Sequence, residues 1–523
     1  MKAYGFSDLK KKSDFLLPSL GESLLIILFL QITVHRQNLL RDADTGWHIR
    51  IGDFILNNFS IPRSDIFSFV KPPLPWVTPD WLSEVSMALI HQTLGLTGVA
   101  LFSALMISLL YYLLFRKLRQ QEGNIILDVL IILMVMITSK FHWMARPYVF
   151  SLLLFLASYH ILETFQTSGR NYLYFLPGIM LLWTNLHGAF ITGFILIAIY
   201  LICNIIMFCF SRGARREEYN KRIRRLGIIS IICLLSSLVN PFGYNVLLYT
   251  FKVISNRYIT DHFSEFLAPN FHSPSMWPFE YLFLIVMVVL TFARKELRFH
   301  ELLLILCFTI MSLYSVRNIL FFAIIVAPIL SRHSNIMINK FQGGLADFLK
   351  KRSENIARVD ASAKGYIWVF PLMLIAAIVL SFKLETRFDE GLKPVAAVEF
   401  LKKEFIKGNM FNHDELGDYL IYSAYPQYKV FIHDKVDWLA EEKLREYEKV
   451  ITFGEGWEEI IKKYEINWII FETDNIFSRF LKEREDWELI YTDKVASIFV
   501  RNIPENFDII RKHRALHNWW ARD

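Results

Sequence analysis

The feature that most constrains this chain is a series of about eleven apolar runs, each close to the length of a membrane-spanning helix. About 20 mostly apolar residues in a helix cross the hydrocarbon core of a bilayer. The chain is 54% hydrophobic and 20% charged, which excludes an ordinary soluble enzyme. The sequence therefore predicts a polytopic α-helical membrane protein. Its predicted spans are 15–36, 96–116, 124–140, 147–166, 171–187, 188–210, 226–241, 278–294, 299–316, 318–332 and 366–383.

Basic residues between these runs predict the orientation of the chain. Loops rich in lysine and arginine stay in the cytoplasm, and such clusters occur at 116–119, 212–225, 294–295 and 350–352. We therefore expect a cytoplasmic N-terminus with an uncleaved first span in a bacterial inner membrane. An odd number of spans places the C-terminal segment outside the cytoplasm. The net charge of +7 then reflects topology, and nucleic acid is not expected as a partner.

The composition changes near residue 384 and predicts two domains. Residues 1–383 are expected to form the transmembrane domain, with a long first outer loop at about 37–80. Residues 384–523 are rich in lysine, glutamate and aspartate, and strand-like runs at 428–432, 468–471 and 496–500 alternate with helical stretches. We expect a C-terminal extracytoplasmic α/β domain there.

Polar side chains at the outer ends of the spans mark a candidate catalytic cleft, because polar groups at membrane depth are costly. Asp42 and Asp44 directly follow the first span. Carboxylates at this spacing can hold a divalent cation, such as Mg²⁺ or Mn²⁺, or supply a catalytic base. Alternatively, Asp44 caps the next helix, whose apolar residues suit a helix in the membrane interface.

The other candidate residues lie on the same predicted side. Arg146 and Arg317 can bind a lipid phosphate through their planar donor forks, or extend to lipid headgroups. Some of the remaining residues have structural alternatives, such as an N-cap at Asp80 or a turn histidine at His187. The predicted substrate-binding set is completed by His48, Asp80, Glu84, Asn185 and His187.

In the C-terminal segment, His433 and Asp434 follow the strand-like run at 428–432, with Asp437 nearby. Ligand sites in α/β sheets often lie past the carboxyl ends of strands. A solvated loop is the alternative at this point.

Short segments throughout the chain resemble the GT-C superfamily of membrane glycosyltransferases, and more closely a group of bacterial GT-C-like membrane proteins. The resemblance implies inverting transfer of a sugar from a polyprenyl-phosphate donor to a glycan, lipid or protein acceptor at the outer face. Asp44 or Asp42 would be the base or metal ligand, and Arg146 and Arg317 would hold the lipid phosphate. His433 departs from the acidic residue expected in the last segment. The segments are 42–48, 62–68, 80–84, 145–147, 185–188, 240–243, 315–318, 417–420 and 431–434.

Two other functions remain open at this level. A transporter or flippase for lipid-linked saccharides would place polar residues at mid-span, whereas the candidates gather at one end. A non-catalytic envelope assembly scaffold would tolerate substitution of the acidic first loop.

Overall fold

The computed structural model describes residues 17–341, 343–435 and 441–520. These residues form two compact units. The first, here the helical unit, comprises 17–36, 97–246 and 260–385, and the second, here the mixed unit, comprises 37–96, 247–259 and the described residues from 386 onward. The predicted first outer loop therefore shares a unit with the C-terminal segment. Asp437 and the start of the first predicted span, 15–16, lie outside the described residues.

Helices make up most of the described chain, and a few strands occur near its C-terminus. In chain order the elements are α1 (Leu20–Val34), α2 (Asp44–Asn58), α3 (Trp81–Arg119), α4 (Ile125–Ser139), α5 (Tyr148–Ser168), α6 (Leu176–Leu186), α7 (Ile191–Phe210), α8 (Gly213–Ser237), α9 (Asn245–Ser255), α10 (Arg257–His262), α11 (Trp277–Ala293), α12 (Phe299–Tyr314), α13 (Ile319–Lys340), α14 (Gly344–Ser362), α15 (Tyr366–Lys383), α16 (Val395–Lys403), β1 (Asn409–Asn412), α17 (Asp414–Ala424), α18 (Glu441–Ile451), α19 (Trp457–Lys463), β2 (Ile466–Glu472), α20 (Ile476–Lys482), β3 (Trp487–Thr492), β4 (Ala496–Arg501) and α21 (Phe507–Trp520).

The predicted apolar runs fold as helices. Six helical segments are long and apolar enough to cross a membrane: Trp81–Arg119, Ile125–His142, Tyr148–Ser168, Gly188–Phe210, Val316–Lys340 and Tyr366–Lys383. Four shorter apolar helices correspond to four further runs, and the run at 226–241 covers the second half of α8. The prediction of a polytopic helical membrane protein is confirmed, while the count of eleven spans and their orientation stay predictions.

Helix α13 is the central element of the helical unit. Residues 319–331 are all buried, and the helix packs against α4, α11 and α12. A helix that is apolar on every side lies in a protein core or in lipid. Neighbouring helices cover this one, so the apolar run at 318–332 becomes the core of the unit.

Carboxylates pair with basic residues at the predicted cytoplasmic ends of these helices. Asp128 accepts hydrogen bonds from Arg119 at 2.7 Å and from Ser331 at 2.5 Å, and Glu301 lies 2.5 Å from Arg332. Buried charges are tolerated when they are paired and hydrogen-bonded. Arg119 belongs to a basic cluster that the sequence predicts as a topological signal, and its pair with Asp128 gives it a structural role as well.

A four-stranded sheet in the order β1-β2-β4-β3 organises the C-terminal part of the mixed unit. β1 and β2 are parallel, and the other two neighbouring pairs are antiparallel. The expected strands at 468–471 and 496–500 are confirmed as parts of β2 and β4. These two strands are central and nearly all buried, so they read as apolar runs. The edge strand β1 has only four residues, and β3 is partly exposed along its length, so the sequence did not predict either.

The expected strand at 428–432 is wrong, because a side chain takes the place of a neighbouring strand. The segment forms only an isolated bridge between Val430 and Ser68. The buried Asn412 side chain accepts hydrogen bonds from the backbone N–H groups of Phe431 and Ile432 at 2.8 and 3.3 Å. It also donates to the Ile432 carbonyl at 2.8 Å. Asn412 thus satisfies backbone groups that a strand ladder would otherwise pair.

We expect Asn412→Ala to loosen segment 430–434, because buried backbone groups left without partners cost about 1–3 kcal/mol. Hydrogen exchange followed by mass spectrometry should show faster exchange of the Phe431 and Ile432 amides in the variant. Asn467→Ala is the matched control, since the Asn467 side chain donates to Lys407 in an exposed position. Unchanged exchange in Asn412→Ala would contradict this role.

Candidate active site

The start of α2 places the two predicted carboxylates of the first loop. Asp42 Oδ1 accepts a hydrogen bond from the Asp44 backbone N–H at 3.0 Å. Asp44 is the first residue of α2, and its Oδ1 accepts from Trp47 Nε1 one turn later at 3.3 Å. The N-cap residue is Ala43, so the alternative that Asp44 is the N-cap does not hold. The helix dipole favours negative charge at this end.

Helix α2 was expected to lie in the membrane interface, but protein covers its apolar face. Trp47 and Ile51 are buried, and the helix packs on α17. A Cβ at Gly46 would lie 2.6 Å from Tyr422 Cβ, and one at Gly52 would overlap the Glu84 carbonyl oxygen. These two glycines permit the close approach of α2 to its neighbours. The apolar spacing correctly predicted a buried face but not what covers it.

Four carboxylates converge beside this contact. One oxygen each from Asp42, Asp44, Asp418 and Asp434 lies within 4.8 Å of the other three; these residues are here the carboxylate cluster. Asp418 is only 1% exposed. Its Oδ1 accepts from the Asp434 backbone N–H at 3.1 Å, while its Oδ2 has no hydrogen-bond partner among the described residues.

The surroundings of the cluster disfavour four negative charges. Burial raises the pKa of Asp434 well above its ordinary value, and the nearby carboxylates of Asp418, Glu415 and Asp414 raise it further. Like charges this close cannot all ionise without a compensating cation.

The donor set fits a hard divalent cation. Mg²⁺, Mn²⁺ and Ca²⁺ prefer oxygen ligands, and ligands about 2.0–2.6 Å from one ion lie at most about 5 Å apart. The spacing of the cluster meets that limit, and the unpartnered Asp418 Oδ2 supplies an oxygen without a competing hydrogen bond. Asp42 and Asp44, the predicted metal ligands, would be joined by Asp418 and Asp434.

A second group of predicted residues lies near the cluster in the same unit. His48 Nδ1 and Glu84 Oε1 are 3.2 Å apart, and both residues are buried. Thr78 Oγ1 donates to Glu84 at 3.2 Å. Burial lowers the pKa of His48 to about 3, although the charge of Asp80 opposes this shift. The imidazole is therefore neutral near pH 7.

Lys435 is a cation that the sequence analysis missed. Its ammonium lies 3.9 Å from the ring centroid of Trp76 and 5.6 Å from that of Trp47. The two indoles meet edge to face at 6.1 Å, so cation–π attraction can restrict the lysine. Its position directly after Asp434 could have suggested a role in the site.

Asp418 also received no role from the sequence, although it lies in one of the segments that resemble the GT-C superfamily. The residue that could have indicated this role in the sequence is the preceding Gly417. A Cβ at this position would overlap the Ile432 carbonyl oxygen. The glycine therefore marks the close contact between α17 and the segment that carries Asp434.

In the helical unit, the predicted arginines share one carboxylate. Arg146 Nη1 lies 2.5 Å from Glu265 Oε1, and Arg317 Nε lies 3.5 Å from Glu265 Oε2. Burial opposes ionisation of Glu265, but Arg146, Arg317 and His142 outweigh it and lower its pKa to about 2. Glu265 therefore orients two guanidinium groups while it occupies part of their hydrogen-bonding capacity.

Asn185 and His187 both bond to nearby backbone groups. Asn185 Nδ2 donates to the carbonyl oxygens of Leu181 and Val239 at 2.8 and 3.0 Å. His187 Nδ1 accepts from the Ala189 N–H at 3.1 Å, as expected for a turn histidine, and it also bonds to the Ser151 hydroxyl at 2.9 Å. Their predicted binding of substrate stays a prediction.

Two solved structures share the fold of nearly the whole chain. The archaeal oligosaccharyltransferase AglB from Archaeoglobus fulgidus, in complex with an inhibitory peptide and a dolichol-phosphate, aligns with a TM-score of 0.55 and 10% identity, covering 92% of this chain and 75% of that chain. The apo form of the Archaeoglobus fulgidus oligosaccharyltransferase gives 0.53 and 10%, covering 92% and 74%.

The chain therefore shares the fold of these oligosaccharyltransferases. The expected GT-C resemblance is confirmed at the level of the fold. No protein-family model matches the chain, and no curated protein matches its sequence.

We expect Mn²⁺ to bind the carboxylate cluster and Asp418→Asn to weaken binding at least about tenfold, by analogy with the loss of other metal-site contacts. Electron paramagnetic resonance of free Mn²⁺ measures the affinity. Glu483→Gln, at an exposed position of the same unit outside the cluster, is the control. Equal affinity in wild type and Asp418→Asn would refute the site.

The same site predicts a pH dependence. The folded-state pKa of Asp434 exceeds its ordinary value of 3.8, so without a cation the folded protein is destabilised as pH rises above that value. Mn²⁺ should therefore raise the Tm more at pH 7.5 than at pH 5. Differential scanning fluorimetry at the two pH values tests this. An equal shift at both would exclude proton competition at the cluster.

Proposed function

We propose that this protein is a membrane glycosyltransferase. In this proposal it moves a sugar from a polyprenyl-phosphate-linked donor to an acceptor at the outer face of the membrane, with inversion at the anomeric carbon. The observation that carries the proposal is the carboxylate cluster, set within a fold shared with oligosaccharyltransferases. The dolichol-phosphate bound to AglB supports a lipid-phosphate donor of this kind.

Within the proposal, Asp44 is the carboxylate that accepts the proton of the attacking hydroxyl. Its Oδ1 accepts a hydrogen bond from Trp47 Nε1, and the residue begins α2, so the carboxyl group is held in position before substrate binds. Asp42 orients the same turn through the Asp44 N–H. A divalent cation bound by the cluster would stabilise developing negative charge on oxygen.

Arg146 and Arg317 are proposed to hold the donor phosphate. Guanidinium groups match phosphate oxygens in geometry as well as charge. Glu265 contacts the guanidinium groups of both arginines. It must give up part of these contacts when a phosphate binds. It would therefore limit the affinity for the donor.

The first test is a transfer assay with purified protein, radiolabelled polyprenyl-phosphate sugars and a membrane extract, with and without a chelator. We expect Asp44→Asn to abolish transfer, because the amide cannot accept the proton. Its Tm should stay near that of wild type. Asp53→Asn, further along α2, is the control.

Transfer at the wild-type rate by Asp44→Asn would refute the assignment of the base. Flux of a lipid-linked saccharide into sealed vesicles without a covalent product would instead identify a transporter. A chelator that stops transfer, with recovery on Mn²⁺ addition, would establish the metal requirement.

We expect Glu265→Gln to lower the KM for the donor several-fold and Arg317→Met to raise it. The first change removes a charge that competes with phosphate, and the second removes a phosphate ligand. Steady-state kinetics with varied donor concentration measure both effects. Two variants with unchanged KM would show that the donor phosphate binds elsewhere.

A further inference from the structure

A small cavity in the mixed unit lies between the first loop, the segment before Asp434 and α18. Its volume is about 30 Å³, which holds one or two atoms the size of a water molecule. Leu74 and Lys443 also line a larger groove that opens to solvent, so a small solute can reach the cavity. This space is here the loop cavity. Its lining residues are 65, 74–76, 431–433, 435, 443 and 444.

Lys443 brings a buried positive charge to the loop cavity. The residue is 7% exposed, and its ammonium lies 4.7 Å from the ring centroid of Phe431. No ion pair or hydrogen bond joins its Nζ to a described residue. Burial lowers the pKa of Lys443 to about 8, although the charges of Asp65 and Glu446 oppose this shift. The ammonium form therefore predominates near pH 7, and a buried charge is costly unless an opposite charge pairs with it.

Asp65, the first of the two acids that act on Lys443, is bonded to other groups. Its Oδ1 accepts hydrogen bonds from the backbone N–H groups of Phe67 and Ser68 at 2.8 and 3.3 Å. Its Oδ2 lies 3.7 Å from His433 Nε2. The charge of Asp65 is therefore already compensated within the first loop and the segment beside it.

Glu446, the second acid, lies one turn after Lys443 on α18 and points to a different cation. It accepts hydrogen bonds from Lys463 Nζ at 2.5 Å and from Tyr464 Oη at 2.6 Å. Neither acid pairs directly with Lys443, so the ammonium lacks a counter-ion among the described residues.

Trp76 adds a hydrogen-bond donor to the same cavity. Its Nε1–H makes no hydrogen bond among the described residues, and the residue is only 3% exposed. His433 Nδ1 also lacks a partner there. An imidazole nitrogen can donate or accept, whereas an indole N–H only donates. The indole therefore requires an acceptor, and leaving a buried donor without one is costly.

The charged side chains that line the loop cavity have an excess of positive charge. Besides Lys443, the ammonium of Lys435 lies 3.9 Å from the ring centroid of Trp76. Among the described lining residues, Asp65 is the one carboxylate. A water molecule would satisfy the indole but leave this excess uncompensated, whereas an anion satisfies both.

We propose that the loop cavity binds a monovalent anion of the size of chloride, held by the Lys443 ammonium and the Trp76 Nε1–H. Phosphate and sulfate need more room than one or two water molecules, so they do not fit. The bound ion joins α18 to the first loop, which also carries Asp42 and Asp44. This site does not depend on the proposed sugar transfer.

Thermal unfolding of the full-length protein in detergent tests the proposal. Sodium chloride or sodium bromide replaces sodium gluconate at constant ionic strength, in a halide-free buffer at pH 7. A ligand that binds only the folded state raises the Tm by mass action. We expect each halide to raise the Tm saturably by about 2–4 °C relative to gluconate, because gluconate is too large for the cavity.

Lys443→Met tests the counter-ion role, because it removes the charge and keeps an unbranched side chain. We expect the half-saturating chloride concentration to rise at least about tenfold, as for a lost charged hydrogen bond. In gluconate the Tm should equal or exceed that of wild type, since an unpaired buried charge is gone. A lysine needed only for packing would instead lower the Tm in every salt. Lys482→Met, at an exposed position of the same unit, is the control and should keep the wild-type chloride dependence.

Two further measurements locate the ion. Trp76→Phe keeps an aromatic ring and removes the Nε1–H donor, and we expect it to weaken chloride binding about three- to tenfold, as for one hydrogen bond. Crystals grown with bromide should give an anomalous peak at hydrogen-bond distance from Lys443 Nζ and Trp76 Nε1.

Three results would overturn the proposal: the same Tm of wild type in chloride and gluconate, equal chloride dependence in wild type and Lys443→Met, or no bromide peak in the cavity. Asp437 lies outside the described residues, and Asp437→Asn tests it as an alternative partner of Lys443. Chloride dependence that appears only in Asp437→Asn would show that this carboxylate, rather than a bound anion, pairs with the lysine.

Discussion

Three close backbone contacts, each made possible by a glycine, hold the candidate active site together. Gly46 allows α2 to approach Tyr422 of α17, Gly52 allows it to approach the start of α3, and Gly417 allows α17 to approach the segment before Asp434. Any larger side chain would separate these elements. Because Asp42 and Asp44 precede or begin α2, Asp418 lies on α17 and Asp434 follows Ile432, the carboxylates converge only when these contacts form.

That convergence creates an electrostatic problem that defines the chemistry of the mixed unit. Four carboxylate oxygens within 4.8 Å repel one another, and the nearby His48 is neutral because burial lowers its pKa. The ammonium of Lys435 lies over the Trp76 ring and near that of Trp47, 3.9 and 5.6 Å from their centroids. The helical unit has the opposite character, since Arg146 and Arg317 share the single carboxylate of Glu265. The mixed unit thus gathers acidic groups and the helical unit gathers basic ones, and the proposed function assigns a cation to the first group and a phosphate to the second.

The sequence predicted local features well and long-range ones less well. The apolar runs became helices because a helix satisfies its own backbone hydrogen bonds and needs only apolar side chains to be stable in lipid. The central strands β2 and β4 were found for a similar reason, since burial on both faces leaves a continuous apolar run. The run at 428–432 has the same appearance, yet Asn412, a residue distant in sequence, bonds its backbone. No residue within the run indicates that its backbone bonds to a side chain outside the run.

The sequence by itself determined the class of fold, the first-loop aspartates as candidate ligands and the arginines as candidate phosphate-binding groups, because these follow from composition and from the chemistry of single side chains. Only the tertiary structure decided that Asp418 and Asp434 join Asp42 and Asp44, and that His48 pairs with Glu84. It also decided that α2 is covered by α17. More than 370 positions separate Asp44 from Asp418 in the chain, and their proximity depends on the shape of the packed surfaces between them. A sequence motif records which groups are present, whereas the distance between groups is set by the folded packing.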